Sequence, residues 1–210
     1  MLIEVYSDTV CPWCYVGAER LLQALAQRPE RAAEVRWLPF ELNPDMPDGG
    51  MDRAEYMLQK FGDVNRFAGA HGQLRELGAE LGIEFDFAAI NRVANTRRSH
   101  ALLAWAGASG RQTDVSRALL RAYFSQGRDI GDPAVLTAIA TECGLDGTVG
   151  AAAAALEDPQ LRETIEALEA QALQWGISGV PTFIFDRRFA FSGAQQLPVF
   201  LEAIDATERA

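Results

Sequence analysis

Cys11 and Cys14, separated by Pro12 and Trp13, are the residues of this chain best suited to chemistry. Two cysteines three positions apart on a helix bring their Cβ atoms to about 5–6 Å. A disulfide closes at about 3.8 Å, so the pair can bridge under constraint. Apolar or small residues at Cys14, Ala18, Leu21, Leu22 and Leu25 step by three and four, a helix stripe that starts inside the motif. Pro12 suits the first helical position, where its missing N–H costs nothing. Cys11 then stands at the helix N-cap, where unsatisfied backbone N–H groups and the positive end of the dipole favour a thiolate over a thiol. Cys14 falls on the inward stripe and is shielded. This is the layout of a dithiol–disulfide exchanger. Cys11 attacks or is attacked, a mixed disulfide forms, and Cys14 resolves it.

Competing readings of the pair need more than the chain offers. Zinc requires two further ligands, and Cys143, His71 and His100 are the only other cysteine or histidines, with no second Cys-x-x-Cys. No metal is expected. A buried pair without chemistry remains the bland alternative, since free cysteines pack as small hydrophobes, and that is the reading for Cys143. Trp13 projects beside the cysteines and either shapes a substrate surface or is an ordinary half-exposed aromatic. Asp8 and Glu41 are candidates for moving a proton to or from Cys14. Asp8 is better suited to satisfying loop amides. Phe61, Phe67, Phe85 and Phe87 belong mostly to the core. Any that reach Cys11 would wall an apolar groove for an unfolded peptide or an aromatic small molecule.

The elements that must position the pair follow from the periodicities. Residues 2–7 read as a buried strand, residues 34–40 as a second, and the helix between them makes a βαβ unit with parallel strands. After the turn-rich stretch from Asn43 to Gly50, helical patterns cover 52–61, 64–81, 90–106, 113–126, 133–143 and 157–175, and the Ala151–Ala155 run continues a helix. The end returns to β: Thr182–Phe185, a turn at Asp186–Arg188, Phe189–Ser192, then a last helix over 196–206. The 210 residues suffice for one sizeable core or two small ones. A net charge of −10 argues against the nucleic-acid phosphate backbone as partner. No stretch is apolar enough to span a membrane, and the N-terminus lacks the basic and small-residue pattern of an export signal. The expected location is the cytoplasm. Three cysteines are too few for a disulfide scaffold.

Together these residues resemble a known family. A strand, then Ser7-Asp8-Thr9-Val10-Cys11-Pro12-Trp13-Cys14, then Gly179-Val180-Pro181-Thr182 ahead of another strand, is similar to the DsbA-like thioredoxin-fold proteins. Phe40-Glu41-Leu42-Asn43-Pro44, Asn95-Thr96, Ser99-His100 and Ser192-Gly193-Ala194-Gln195 look like the FrnE-like branch, which is related to 2-hydroxychromene-2-carboxylate isomerase and kappa-class glutathione transferases. The resemblance implies an α/β thioredoxin fold with a large inserted all-helical subdomain. The thioredoxin-like part is residues 1–42 and 176–210, and the insertion 43–175, its last helix able to pack on the sheet. It also implies a cis Val180–Pro181 bond, which sequence alone puts at only about 5–6%, with the Val180 backbone left free to pair with substrate as an added strand.

By the same resemblance, Pro12, Trp13, Val180, Pro181, His100, Ser192 and Gly193 form the substrate-contacting set around the catalytic cysteines. The implied activity is thiol–disulfide exchange on a protein or small-molecule substrate. No cofactor is tightly bound, glutathione is the candidate redox partner, and a homodimer is a candidate assembly. The chain departs from its relatives in places. It lacks the export signal of periplasmic DsbA proteins and any second cysteine pair after Cys143. It keeps cysteine at position 11, where the glutathione-dependent isomerases and transferases usually have serine. The alternatives are therefore a glutathione-dependent isomerase or transferase on an aromatic substrate, and a chaperone or binding module.

Overall fold

The first strand, β1 (Leu2–Ser7), lies at the middle of the sheet, and everything that places the cysteines is anchored to it. The structure is a computed structural model describing residues 1–63, 66–145 and 150–207. From β1 the chain enters α1 (Pro12–Ala26) and returns as β2 (Glu34–Pro39), parallel to β1 in the register Leu2 to Glu34 through Ser7 to Pro39. A parallel return requires a crossover, and α1 supplies it. Much later β5 (Thr182–Phe185) pairs antiparallel with β1, and β6 (Phe189–Ser192) with β5, giving the order β2-β1-β5-β6. The β5–β6 turn puts Asp186 and Arg187 at positive φ, and the Arg188 N–H closes it onto the Phe185 carbonyl at 3.0 Å.

Between β2 and β5 lies the helical block. Its helices are α2 (Arg53–Phe61), α3 (Ala68–Leu81), α4 (Arg97–Gly107), α5 (Gln112–Phe124), α6 (Pro133–Glu142), α7 (Ala151–Leu156) and α8 (Pro159–Gln174); α9 (Leu197–Ala206) closes the chain. The start of the expected helix 64–81 lies outside the described residues, and α3 begins at Ala68. Two differences from the sequence reading have physical causes. Residues 90–96 are not helical: β3 (Met51–Asp52) and β4 (Arg92–Val93) form a two-residue ribbon, and Asn95 stops the pattern. Its buried amide donates to the Met46 carbonyl at 2.7 Å, and its Oδ1 accepts from the Arg97 N–H at 3.0 Å. Alanines 151–155 form a helix of their own, ended by Asp158-Pro159, whose aspartate instead caps α8 through the Gln160 N–H at 2.8 Å.

Strand alternation splits β1 between two faces. Ile3 and Val5, fully buried, belong to one large apolar cluster with Val16 and Leu21 of α1 and Phe200 and Ile204 of α9. That same cluster runs on through Leu102, Leu119 and Leu136 of the helical block, so one core serves sheet and block together. Tyr6 points to the opposite face, against Ala172 of α8 and Ile177. Among the described residues no helix is long and apolar enough to cross a membrane.

Candidate active site

The loop from β1 to α1 is tied down on three sides before it reaches the cysteines. The fully buried Asp8 accepts from the Leu42 N–H at 2.7 Å through one carboxylate oxygen. The other lies 3.5 Å from Nε2 of the buried His100 of α4. Thr9 and Ser99 share a buried hydroxyl–hydroxyl bond of 2.7 Å, and Ser99 donates onward to the Thr96 carbonyl at 2.8 Å. The loop closes with the Cys11 N–H on the Asp8 carbonyl at 3.1 Å. Cys11 is the N-cap of α1, in extended conformation, with Pro12 following in the first turn and the Cys14 N–H donating to the Cys11 carbonyl at 3.1 Å. None of the three cysteines is joined in a disulfide. Cys14 is buried, and burial, then the adjoining Cys11 thiol, push its pKa well above the ordinary thiol value against the hydroxyl of Ser7 and the N–H of Asp8.

The facing segment is Val180-Pro181. Its peptide is cis. The Cys11 thiol points at the Val180 carbonyl oxygen at 3.7 Å, and among the described residues the Val180 N–H has no hydrogen-bond partner. The Pro181 carbonyl accepts from the Gly193 N–H at 2.7 Å, with Gly193 at φ +83°. Ser192 is bonded at 2.7 Å to the Thr182 hydroxyl, which itself donates to the Gly179 carbonyl at 2.8 Å. The start of α1 comes very close to this segment. A methyl group built on Gly17 would stand 2.9 Å from the Phe183 ring and 3.1 Å from Pro181.

Outside the cysteine pair a cavity of about 400 Å³ opens between motif and helical block. Cys11, Pro12, Trp13 and Val180 form its thioredoxin-side wall, and Phe61, Phe67 and Phe87 are among the aromatic residues opposite. Phe85 stays in the core, stacked on Phe87 with centroids 5.1 Å apart. Cys14 does not line the cavity.

The sequence matches the family described as DSBA-like thioredoxin domain over residues 2–205. The chain belongs to that family. This DSBA-like protein is 29% identical to the uncharacterized protein YwbO of Bacillus subtilis (strain 168), over 99% of this chain and 97% of YwbO. A probable DsbA oxidoreductase of Streptomyces coelicolor superposes with a TM-score of 0.88 at 32% identity, covering all of this chain and 90% of the other. A 2-hydroxychromene-2-carboxylate isomerase shares the fold at TM-score 0.76 and 18% identity over 100% and 97% of the two chains. So does the cytosolic disulfide reductase DsbM of Pseudomonas aeruginosa with GSH, at 0.70 and 23%, over the full length of both.

Within this DSBA-like site, the structure brings Cys11, Pro12, Trp13 and Val180 together around one cavity. His100 is placed differently from the expectation that it contacts substrate. It is buried with its Nε2 3.5 Å from the Asp8 carboxylate, and it does not line the cavity. Asp8 does what its sequence position suggested for loop amides. Glu41 faces Arg97 at 3.2 Å and Glu169, away from the cavity. Ser192 and Gly193 are spent on the hairpin and on Pro181. Sequence reasoning missed the far wall, where Arg53, Tyr56 and Lys60 of α2 and His71 of α3 line the cavity. Nothing in their spacing relative to Cys11 announced it. The signal available was that Lys60 is the only lysine of the chain.

Proposed function

We propose that this chain is a thiol–disulfide oxidoreductase working through Cys11-Pro12-Trp13-Cys14. The observation that carries this reading is the division of labour between the sulfurs. Cys11 sits at the head of α1 on the cavity wall, and Cys14 lies buried behind it as a thiol. A nucleophile must be reachable and a resolving thiol must wait, and the two positions differ in that respect. Cys11 attacks a substrate sulfur, the substrate's S–S bond breaks, and a mixed disulfide remains. Cys14 then attacks Cys11, releases the second substrate thiol and leaves the Cys11–Cys14 disulfide. The open N–H of Val180 is the point at which an extended substrate backbone hydrogen-bonds.

Glutathione as the redox partner is supported by the likeness to DsbM, whose structure contains GSH. The retention of both cysteines favours exchange over isomerisation. The test is a pair of variants. Cys11→Ser should abolish exchange with any disulfide, and Cys14→Ser should accumulate a mixed disulfide on Cys11, read by intact mass. Exchange that survives in Cys11→Ser sinks the assignment.

A further inference from the structure

The cavity beside Cys11 carries more information than its position. Its volume of about 400 Å³ lies in the range of small-molecule sites, roughly 300–1,000 Å³. Phe61, Phe67 and Phe87 give it an aromatic wall. Its charged lining has one sign: Arg53 and Lys60 line it, and among the described residues no aspartate or glutamate does. In a chain of net charge −10 that is a local inversion. Elsewhere Arg98, Arg117 and Arg187 each sit on a carboxylate at 2.6–2.9 Å. The Arg53 guanidinium has no carboxylate partner among the described residues and reaches only the His71 ring, at 3.5 Å. Lys60 donates to the amide oxygen of Asn43 at 2.5 Å, again a neutral group. His71, stacked on Phe87 at 4.0 Å, has its pKa lowered by burial and then by the cations of Arg53 and Arg75, which disfavours a charge on its ring.

Resting on the exchange reading, we infer that the cavity admits a low-molecular-weight disulfide with an aromatic body and an anionic group, the anion held by Arg53 and Lys60, the ring among the phenylalanines and the disulfide at Cys11. A guanidinium and an ammonium facing a low-dielectric wall favour an anion strongly. An extended backbone could pair with Val180 on the thioredoxin side, but the phenylalanine rings opposite would offer its outward-facing amides no partner. In the reaction the Cys11 thiolate bonds to one ligand sulfur, the ligand S–S bond breaks, and the first thiolate departs. Cys14 then bonds to Cys11 and expels the second. Two electrons pass from the protein dithiol to the ligand, and the two protons of the dithiol end on the two product thiols.

The experiment is a single-turnover oxidation of the fully reduced protein by four disulfides. They are dithiobis(nitrobenzoate), aromatic and anionic; dithiodipyridine, aromatic and neutral; cystamine, cationic; and glutathione disulfide, anionic without a ring. Each rate is divided by that disulfide's rate with free mercaptoethanol. The normalised rate should be highest for dithiobis(nitrobenzoate). Its advantage over dithiodipyridine should fall about tenfold in Arg53→Gln and in Lys60→Gln, be largely kept in Arg53→Lys, and shrink with added salt. Lys60 is exposed, so its variant reports even if Arg53→Gln folds poorly. Equal normalised rates, a ratio indifferent to both substitutions, or glutathione disulfide ranking first would overturn the inference and leave the exchange reading standing. No reaction with any of the four would overturn the exchange reading itself.

Discussion

At the scale of single residues, the two motif cysteines differ less in exposure than in what they face. Both are almost fully covered, Cys11 at 4% and Cys14 at 1%. Only Cys11 borders the cavity, so access through that opening separates them. Alkylation should follow the same order. With limiting iodoacetamide on the reduced protein, peptide mass spectrometry should find Cys11 modified first, well ahead of Cys14 and Cys143. The latter two are held as thiols, their pKa values raised chiefly by burial. Modification of Cys14 at the same rate would mean that the burial seen here does not govern reactivity. The placement of Cys11 at the N-cap and of Cys14 on the buried stripe was readable from the sequence, because both are local properties. The placement of His100 was not. A histidine on a helix declares nothing about which loop it will meet, and Asp8 lies 92 positions away.

At the scale of elements, the critical contact is the seating of α1 on the Val180–Pro181 segment. Gly17 makes it possible, one turn beyond Cys14. A side chain there collides with Phe183 and Pro181, both buried. Alanine would gain about 1 kcal/mol in helix propensity over glycine, whereas overpacking a filled site costs typically about 1–3 kcal/mol. The collision should win. Gly17→Ala is expected to lower stability by up to about 2 kcal/mol in urea denaturation and to slow exchange, because the helix carrying Cys11 must shift from Val180. A variant as stable and as fast as the parent would show that the contact is slack. Long elements were legible from periodicity: β1, α1, β2, the β5–β6 hairpin and α9 all lie within a residue or two of where apolar spacing puts them. The β3–β4 ribbon was invisible, since two residues per strand carry no period. The boundary at Asn95 is set by a hydrogen bond to Met46, 49 positions away.

At the scale of the whole molecule, β2's exit and α8 bring two acids together under the loop that Asp8 anchors. Glu169 accepts the Glu41 N–H at 2.7 Å. Burial raises both carboxyl pKa values; Glu169 adds to the effect on Glu41, while His100 and Arg97 oppose it for both. An acid raised on folding holds protons that the unfolded chain has already released, so its contribution to stability is lost as pH rises from the ordinary glutamate value through the raised one. Glu169→Gln keeps the acceptor for Glu41 and removes one charge. Denaturation between about pH 4.5 and 7 should show wild-type stability falling more steeply than that of the variant, with Glu169→Gln the more stable at pH 7. Parallel curves would mean that the pair is solvated in both states. This arrangement, like the far cavity wall, depends on chain segments that meet only after folding.

The single core described above has one more consequence. The helices between β2 and β5 are not a cartridge clipped onto a self-sufficient thioredoxin. Leu102, Leu119 and Leu136 share their packing cluster with Ile3, Val5 and Phe200. Excising the block would leave the sheet with a dry face turned to water, and grafting the block elsewhere would do the same to its helices. Cys11 therefore owes its surroundings to a mutual dependence, and any shortened version of this protein would have to build a new interior before it could hold Cys11 in the same place.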